Sequence, residues 1–357
     1  MINVTKVFLP PKEQLYAYFD AIIARAWVTN NGPLVNELEL KLRSYLGVDK
    51  LLFLNNGTIA IQIAIKALDL KGEIITTPFS YVATTSSIVW ESCTPVFVDI
   101  DPATLNINPE LIEQAITPET KAILATHVFG NPCAIDKIQA IADRHGLKVI
   151  YDAAHCFGTV YRGKSVFSFG DISTASFHAT KLFHTTEGGA VFTNDDFLFR
   201  KMGLLRNFGH TSPVTFENAG VNGKNSEFHA AMGLSVLTHM NSITEKRKEQ
   251  WLYYREKLKQ LPLQFLEITE GTTNYNYSYF PIILESEEKL LKMVEALNLQ
   301  YIYPRRYFYP SLNTLDFVTH RPCPVSESIA PRVLCLPLYH DLSFAEQEMI
   351  VRVIASN

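Results

Sequence analysis

LLFLNNGTIAIQIAIKAL, residues 51–68, places a short apolar run directly before a turn and a helical pattern. Four consecutive apolar residues, Leu51–Leu54, suit a strand that is covered on both faces. Asn55-Asn56-Gly57-Thr58 then interrupts the run with residues that favour turns and helix starts. The same alternation continues to about Thr193. EIITTP precedes a polar-aromatic segment and a helical SSIVW. TPVFVDI, AILATHVF, KVIYDAA, TASFHA and GAVFTND read as further strands. Between AILATHVF and KVIYDAA, the segment IDKIQAIADRHG repeats its apolar positions at helical spacing and has Gly146 to end it. Strands alternating with helices imply βαβ units, hence an α/β fold with a mostly parallel central sheet flanked by helices.

Beyond Asn207 the pattern changes. GHTSPVTFENAGVNGKNSE is a loop, EFHAAMGLSVLTHM is helical, and TEKRKEQWLYYREKLKQL is a long charged helix. A chain of 357 residues suggests about two domains. The expected division is an N-terminal arm and large domain over 1–240 and a smaller α+β domain over 241–357.

Composition excludes several classes. Hydrophobic residues are 47% and charged residues 19% of the chain, an ordinary globular balance. A net charge of −4 carries no basic footprint for nucleic acid. The five cysteines are scattered, with no CxxC pair, which argues against a disulfide framework or a zinc site and suits a reducing cytoplasm. MINVTKVFLPPKEQ has no apolar core and does not read as a signal peptide. No apolar run reaches the length of a membrane span.

In parallel sheets, ligands bind beyond the carboxyl ends of the strands, so polar residues there are the candidates. Asn55-Asn56-Gly57-Thr58 reads either as an anion site at a helix start or as a plain N-capped turn. Asp152, just past an apolar strand, is either a partner for a cationic ring nitrogen or a helix cap. Lys181 follows SFHAT and precedes Glu187-Gly188-Gly189. A desolvated lysine with a lowered pKa forms Schiff bases, whereas most lysines are simply solvated. Tyr81 in FSY is either a ring for stacking on a planar ligand or a core aromatic.

In order and separation, these segments resemble the DegT/DnrJ/EryC1/StrS family of pyridoxal-phosphate-dependent sugar aminotransferases. The similarity runs through TNNGPLVNELE, NNGTIAIQIA, TPFSYVATT, TPVFVDIDPATLNI, THVFGNPCAIDKI, VIYDAAHCFG, SFHATKLFHTTEGGA, RNFGH and VLCLPLYHDLS. It implies the aspartate-aminotransferase fold (fold type I) and a homodimer with shared active sites. Lys181 matches the Schiff-base lysine and Asp152 the partner of the pyridinium nitrogen. His155 falls near the cofactor's phenolic oxygen, Tyr81 at the stacking position, and Gly57, Thr58 and Ser176 at the phosphate. Asn222 matches an asparagine that reaches the phosphate from the partner subunit. The family's Gly-Tyr-Asn-Tyr-Arg segment is altered, since Gly223 and Lys224 replace its tyrosine and arginine. Lysine lacks arginine's planar fork, which changes what that loop can hold.

The resemblance further implies a nucleotide-linked keto sugar as acceptor and L-glutamate as donor, with pyridoxamine phosphate between the two half-reactions. Asn31, Lys224, Arg305, Arg306 and Tyr307 are the expected substrate contacts, the arginines and Lys224 serving the diphosphate. YPRRYFYP with NGKNSE is most similar to members that convert dTDP-4-keto-6-deoxyglucose to dTDP-4-amino-4,6-dideoxyglucose. A 3-keto sugar aminotransferase is the alternative, with a non-enzymatic regulator behind it. A dehydratase relative would carry histidine in place of Lys181. The implied setting is O-antigen or other surface-glycan synthesis.

Overall fold

Seven strands form the central sheet of the computed structural model, which describes residues 1–357. Across the sheet they run Leu51–Leu54, Gly189–Phe192, Ile172–Ser176, Lys148–Asp152, Thr120–Thr126, Glu73–Thr76 and Thr94–Phe97. Gly189–Phe192 is antiparallel to both of its neighbours, and the other pairings are parallel. The mostly parallel sheet expected from the alternation is therefore present.

Consecutive residues of each strand feed opposite faces, as the pleat requires. Leu52, Leu54, Ile74, Leu124, Ile150 and Val191 pack in one core with helix Gly57–Ala67 and helix Asp196–Leu205. Leu51, Phe53, Ile75, Ile123, Val149 and Phe192 pack in the other with helices Pro33–Leu46, Ile135–His145 and Glu227–Leu237. Burial on both sides explains why the strands read as unbroken apolar runs and not as alternating ones.

One buried carboxylate ties distant elements together. Both oxygens of Glu227, in the first turn of Glu227–Leu237, accept N–H bonds from Leu34 and Val35 at 2.9 Å each. They serve two orphan donors at the start of Pro33–Leu46. A Cβ at Gly32 would lie 2.5 Å from the Glu227 carboxyl carbon, so glycine is required there. Arg206 donates to Glu39 at 2.5 Å and to the Phe53 carbonyl at 3.0 Å, fastening helix Pro33–Leu46 to the edge strand.

Helix Met240–Leu258 leads to a three-stranded antiparallel sheet of Gln264–Phe265, Pro281–Ile283 and Val333–Cys335. Helices Glu287–Leu299 and Phe344–Ala355 cover it around Tyr254, Leu290 and Ile350. Ile2–Asn3 pairs with Ile302–Tyr303, so the N-terminus ends among these C-terminal elements. Phe79, Phe129, Tyr279 and Phe308 form an aromatic seam between the ends of the central strands and the C-terminal sheet. No helix is long and apolar enough to cross a membrane.

Candidate active site

The carboxyl ends of the central strands and the aromatic seam enclose a cavity of about 250 Å³. Its floor begins with helix Gly57–Ala67. The Asn56 side chain caps that helix by accepting from Ile59 N at 2.8 Å. Gly57 and Thr58 line the cavity, so the capped turn lies where an anion site was the other reading. A Cβ on Gly57 would sit 2.8 Å from the Ser176 Cβ. Gly189 closes the same corner, since a Cβ there would meet the Asn56 carbonyl at 2.4 Å. The glycines thus bring strand end Ser176 against the helix start, where Ser176, Gly57 and Thr58 converge on one concavity.

Asp152 ends its strand and is buried. Its Oδ2 accepts from Thr84 Oγ1 at 2.7 Å and its Oδ1 from Ala154 N at 3.2 Å. Ser80 joins Thr84 at 2.8 Å and Thr126 at 3.1 Å, extending the network to two more segments. Burial pushes the Asp152 carboxyl above its ordinary range, while these hydrogen bonds and the Lys181 charge pull it back. A cation placed against it would tilt the balance fully to the carboxylate.

Lys181 is half-buried at a turn where its N–H donates to His178 O at 2.8 Å. Burial lowers its amine to about 8, with Asp152 opposing and Arg305 adding to the fall. A substantial neutral fraction near physiological pH makes it a nucleophile. His155 is held by a bond from Phe129 N to its Nδ1 at 3.2 Å. That leaves Nε2 as the protonated nitrogen of the neutral ring. Burial, then the Lys181 charge, keeps the ring neutral well below its usual pKa. Its plane stacks 5.6 Å from Phe308 at an angle of 5°, and Tyr279 lies against it at 4.7 Å.

Tyr81, Tyr279, Arg305, Tyr307 and Phe308 complete the walls. Arg305 is anchored by paired backbone bonds with Cys335, 3.1 and 2.8 Å, and its guanidinium stands 4.7 Å over the Tyr307 ring. His178 and Glu187, which also line the cavity, face each other at 3.5 Å.

Residues 11–355 match the model of the DegT/DnrJ/EryC1/StrS aminotransferase family. This chain belongs to that family. It is 45% identical over 361 residues to a dTDP-4-amino-4,6-dideoxy-D-glucose transaminase of Shigella dysenteriae, covering 99% of this chain and 98% of the relative. Its fold superposes on DesI, solved in the presence of its TDP-sugar product, with a TM-score of 0.93 at 32% identity. That match covers 99% of this chain and 92% of the other. NtdA from Bacillus subtilis, solved with bound cofactor PMP, superposes with a TM-score of 0.90 at 26% identity over 97% of this chain and 81% of its own.

The protein is thus a pyridoxal-phosphate-dependent aminotransferase of fold type I. The cavity suits that cofactor chemically. It offers a glycine cradle at a helix start for a phosphate, a buried strand-end carboxylate for a ring nitrogen, and a lysine with a lowered pKa. Of the residues singled out from sequence, Gly57, Thr58, Tyr81, Asp152, His155, Ser176, Lys181, Arg305 and Tyr307 meet here. Arg306 does not, contrary to expectation. Its guanidinium donates to Glu287 at 2.5 Å and the Pro331 carbonyl at 3.0 Å, and lies 3.7 Å over Tyr309. Neighbouring residues on an extended segment point apart, so only one of the two arginines enters. Asn31, Asn222 and Lys224 also lie off this chain's own cavity. Lys224 donates to Asn222 Oδ1 at 2.8 Å, and the Asn31 carbonyl accepts from Asn36. Sequence reasoning missed Thr84, Thr126, Tyr279 and Phe308, and noted Ser80 and Glu187 only as neighbours of Tyr81 and Lys181.

Proposed function

We propose that the chain transfers the amino group of L-glutamate to dTDP-4-keto-6-deoxyglucose, giving dTDP-4-amino-4,6-dideoxyglucose. The observation that carries this reading is the 45% identity, over nearly the full length of both chains, to a transaminase of that name. The convergence of Lys181, Asp152, His155 and the Gly57–Ser176 cradle in one cavity supports it.

Bound pyridoxal phosphate would supply a conjugated ring that takes up the electron pair left when a substrate C–H proton departs. The chain's own residues do the rest. Gly57, Thr58 and Ser176 would hold the phosphate with backbone N–H groups and hydroxyls at a helix start. Asp152, steadied by Thr84 and Ala154, would hold the ring nitrogen protonated. His155 would present its Nε2–H to the phenolic oxygen, and Tyr81 would offer an aromatic face to the ring. Lys181 would anchor the cofactor through its amine and, once free, would hold the proton that leaves the substrate carbon. Its amine, brought to about 8, accepts and returns a proton near neutral pH.

The active enzyme in this reading is a homodimer in which Asn222 and Lys224 complete the partner's site. Their placement outside this chain's own cavity supports the arrangement. Residues 1–240 form the arm and cofactor domain, and 241–357 the small domain that brings Arg305 and Tyr307. The five unpaired cysteines suit a reducing cytoplasm, where nucleotide sugars for O-antigen lipopolysaccharide are made. The test is incubation of holoenzyme with L-glutamate and dTDP-4-keto-6-deoxyglucose, with NMR of the product. A 4-amino sugar is expected. A 3-amino product, or none, would overturn the assignment.

A further inference from the structure

We infer that Arg305 is the receptor for the α-carboxylate of the amino donor, and not a ligand of the nucleotide sugar's diphosphate. The inference rests on the proposed reaction and assigns its two substrates to different parts of the cavity.

The cavity wall carries four basic side chains: His155, His178, Lys181 and Arg305. His155 is neutral and engaged with Phe129 N through Nδ1. His178 faces Glu187 at 3.5 Å. Lys181 is the nucleophile. Arg305 remains, a permanent cation in no ion pair, standing over Tyr307 with its backbone pinned to Cys335. The neighbouring arginine is already paired with Glu287. Arg305 and Lys181 line the same space, and the Arg305 charge is one of those felt by the Lys181 amine.

The two substrates differ in where their anionic groups lie. In an α-amino acid, the carboxylate is one bond from the carbon that loses its proton. In a 4-keto hexose, the diphosphate hangs from C1, across the whole ring and a glycosidic oxygen from the reacting C4. When either reacting carbon is at Lys181, only the amino acid puts its anion deep in the wall beside that lysine. The diphosphate projects outward. A guanidinium that lines the same cavity as Lys181, near enough for its charge to bear on that amine, therefore matches the first geometry. Its planar fork suits a carboxylate in two parallel hydrogen bonds. When the sugar enters without a carboxylate, the Tyr307 face gives the unpaired cation a resting place. One cavity thereby accepts two unlike substrates in turn.

The experiment separates the half-reactions by stopped-flow absorbance under single-turnover conditions. Pyridoxal-form holoenzyme is mixed with L-glutamate or L-alanine, and aminated holoenzyme with dTDP-4-keto-6-deoxyglucose. Arg305→Gln is expected to raise the half-saturating concentration of both amino acids roughly tenfold to a hundredfold. The sugar's constant should move less than about threefold, within the range of a rim contact. Arg305→Lys should recover part of the loss, because it restores charge without the fork. A loss confined to the sugar half would overturn the inference in favour of the diphosphate. Equal losses in both halves, or none in either, would overturn it too. Wild-type protein that reacts with no α-amino acid would sink the inference together with the proposed donor. Wild-type protein that takes amino acids but not this sugar would sink the sugar assignment alone, leaving the Arg305 result to stand or fall on the donor constants.

Discussion

Asp152 and Arg305 act on Lys181 in opposite directions, Asp152 favouring the ammonium and Arg305 the neutral amine. Burial is the larger influence and sets the amine at about 8. Capture of pyridoxal phosphate by the cofactor-free protein needs the neutral amine. Its rate should rise with pH and level off above a midpoint near 8. Asp152→Asn removes the charge that favours the ammonium, so the midpoint should move to lower pH. A midpoint that stayed put or rose would mean the two groups do not interact. Arg306 belongs to a different account from its neighbour. Arg306→Ala should cost about 1–3 kcal/mol of stability, since it strips Glu287 and the Pro331 carbonyl of their donor. Substrate constants should hold steady, and a raised sugar KM at unchanged stability would return Arg306 to the site. Asp152 and Gly57 could be placed at a strand end and a helix start from the apolar pattern, but their roles, and that of Lys181, were legible only through the family resemblance. Arg305 and Arg306 were not separable, because alternation along an extended segment does not by itself say which of its two faces turns inward.

At the scale of elements, the strand order could not be read from the alternation, but the strands could. Leu51–Leu54 and Gly189–Phe192 are apolar throughout because both faces are covered, so their partners leave no trace in the pattern. The TNNGPLVNELE and NGKNSE segments hold the expected substrate contacts Asn31 and Lys224, and much of their content is joinery. Gly32 is small because the Glu227 carboxylate lies against it, and Asn225 holds the carbonyls of Leu54 and Glu187. Contacts between residues nearly 200 positions apart have no local signature. Glu227→Ala should leave the N–H groups of Leu34 and Val35 without partners inside the protein. The expected loss is about 2–4 kcal/mol, read as a lower midpoint in urea and a lower Tm. An unchanged midpoint would show that water replaces the carboxylate at no cost.

At the scale of the whole molecule, a site assembled from two subunits makes a prediction that no single-site enzyme shares. Lys181→Ala and Asn222→Ala proteins are each impaired in every homodimer. Mixed and allowed to exchange subunits, they form hybrids. If Asn222 serves the partner, one site of each hybrid carries both defects and the other carries none. Activity should therefore reappear on mixing, towards a quarter of wild type. No gain on mixing, with subunit exchange verified, would mean Asn222 serves its own chain or no site at all. This proposed arrangement comes from sequence only through the family resemblance, because neither periodicity nor spacing says which residues would face another copy.

The central claim is that Lys181 holds the cofactor of a transaminase. Borohydride reduction of the holoenzyme, followed by digestion and mass spectrometry, tests it most directly. The account predicts a reduced pyridoxyl group on the peptide containing Lys181, and its loss in Lys181→Ala. A label on another lysine, or no label on protein shown to carry pyridoxal phosphate, would contradict it.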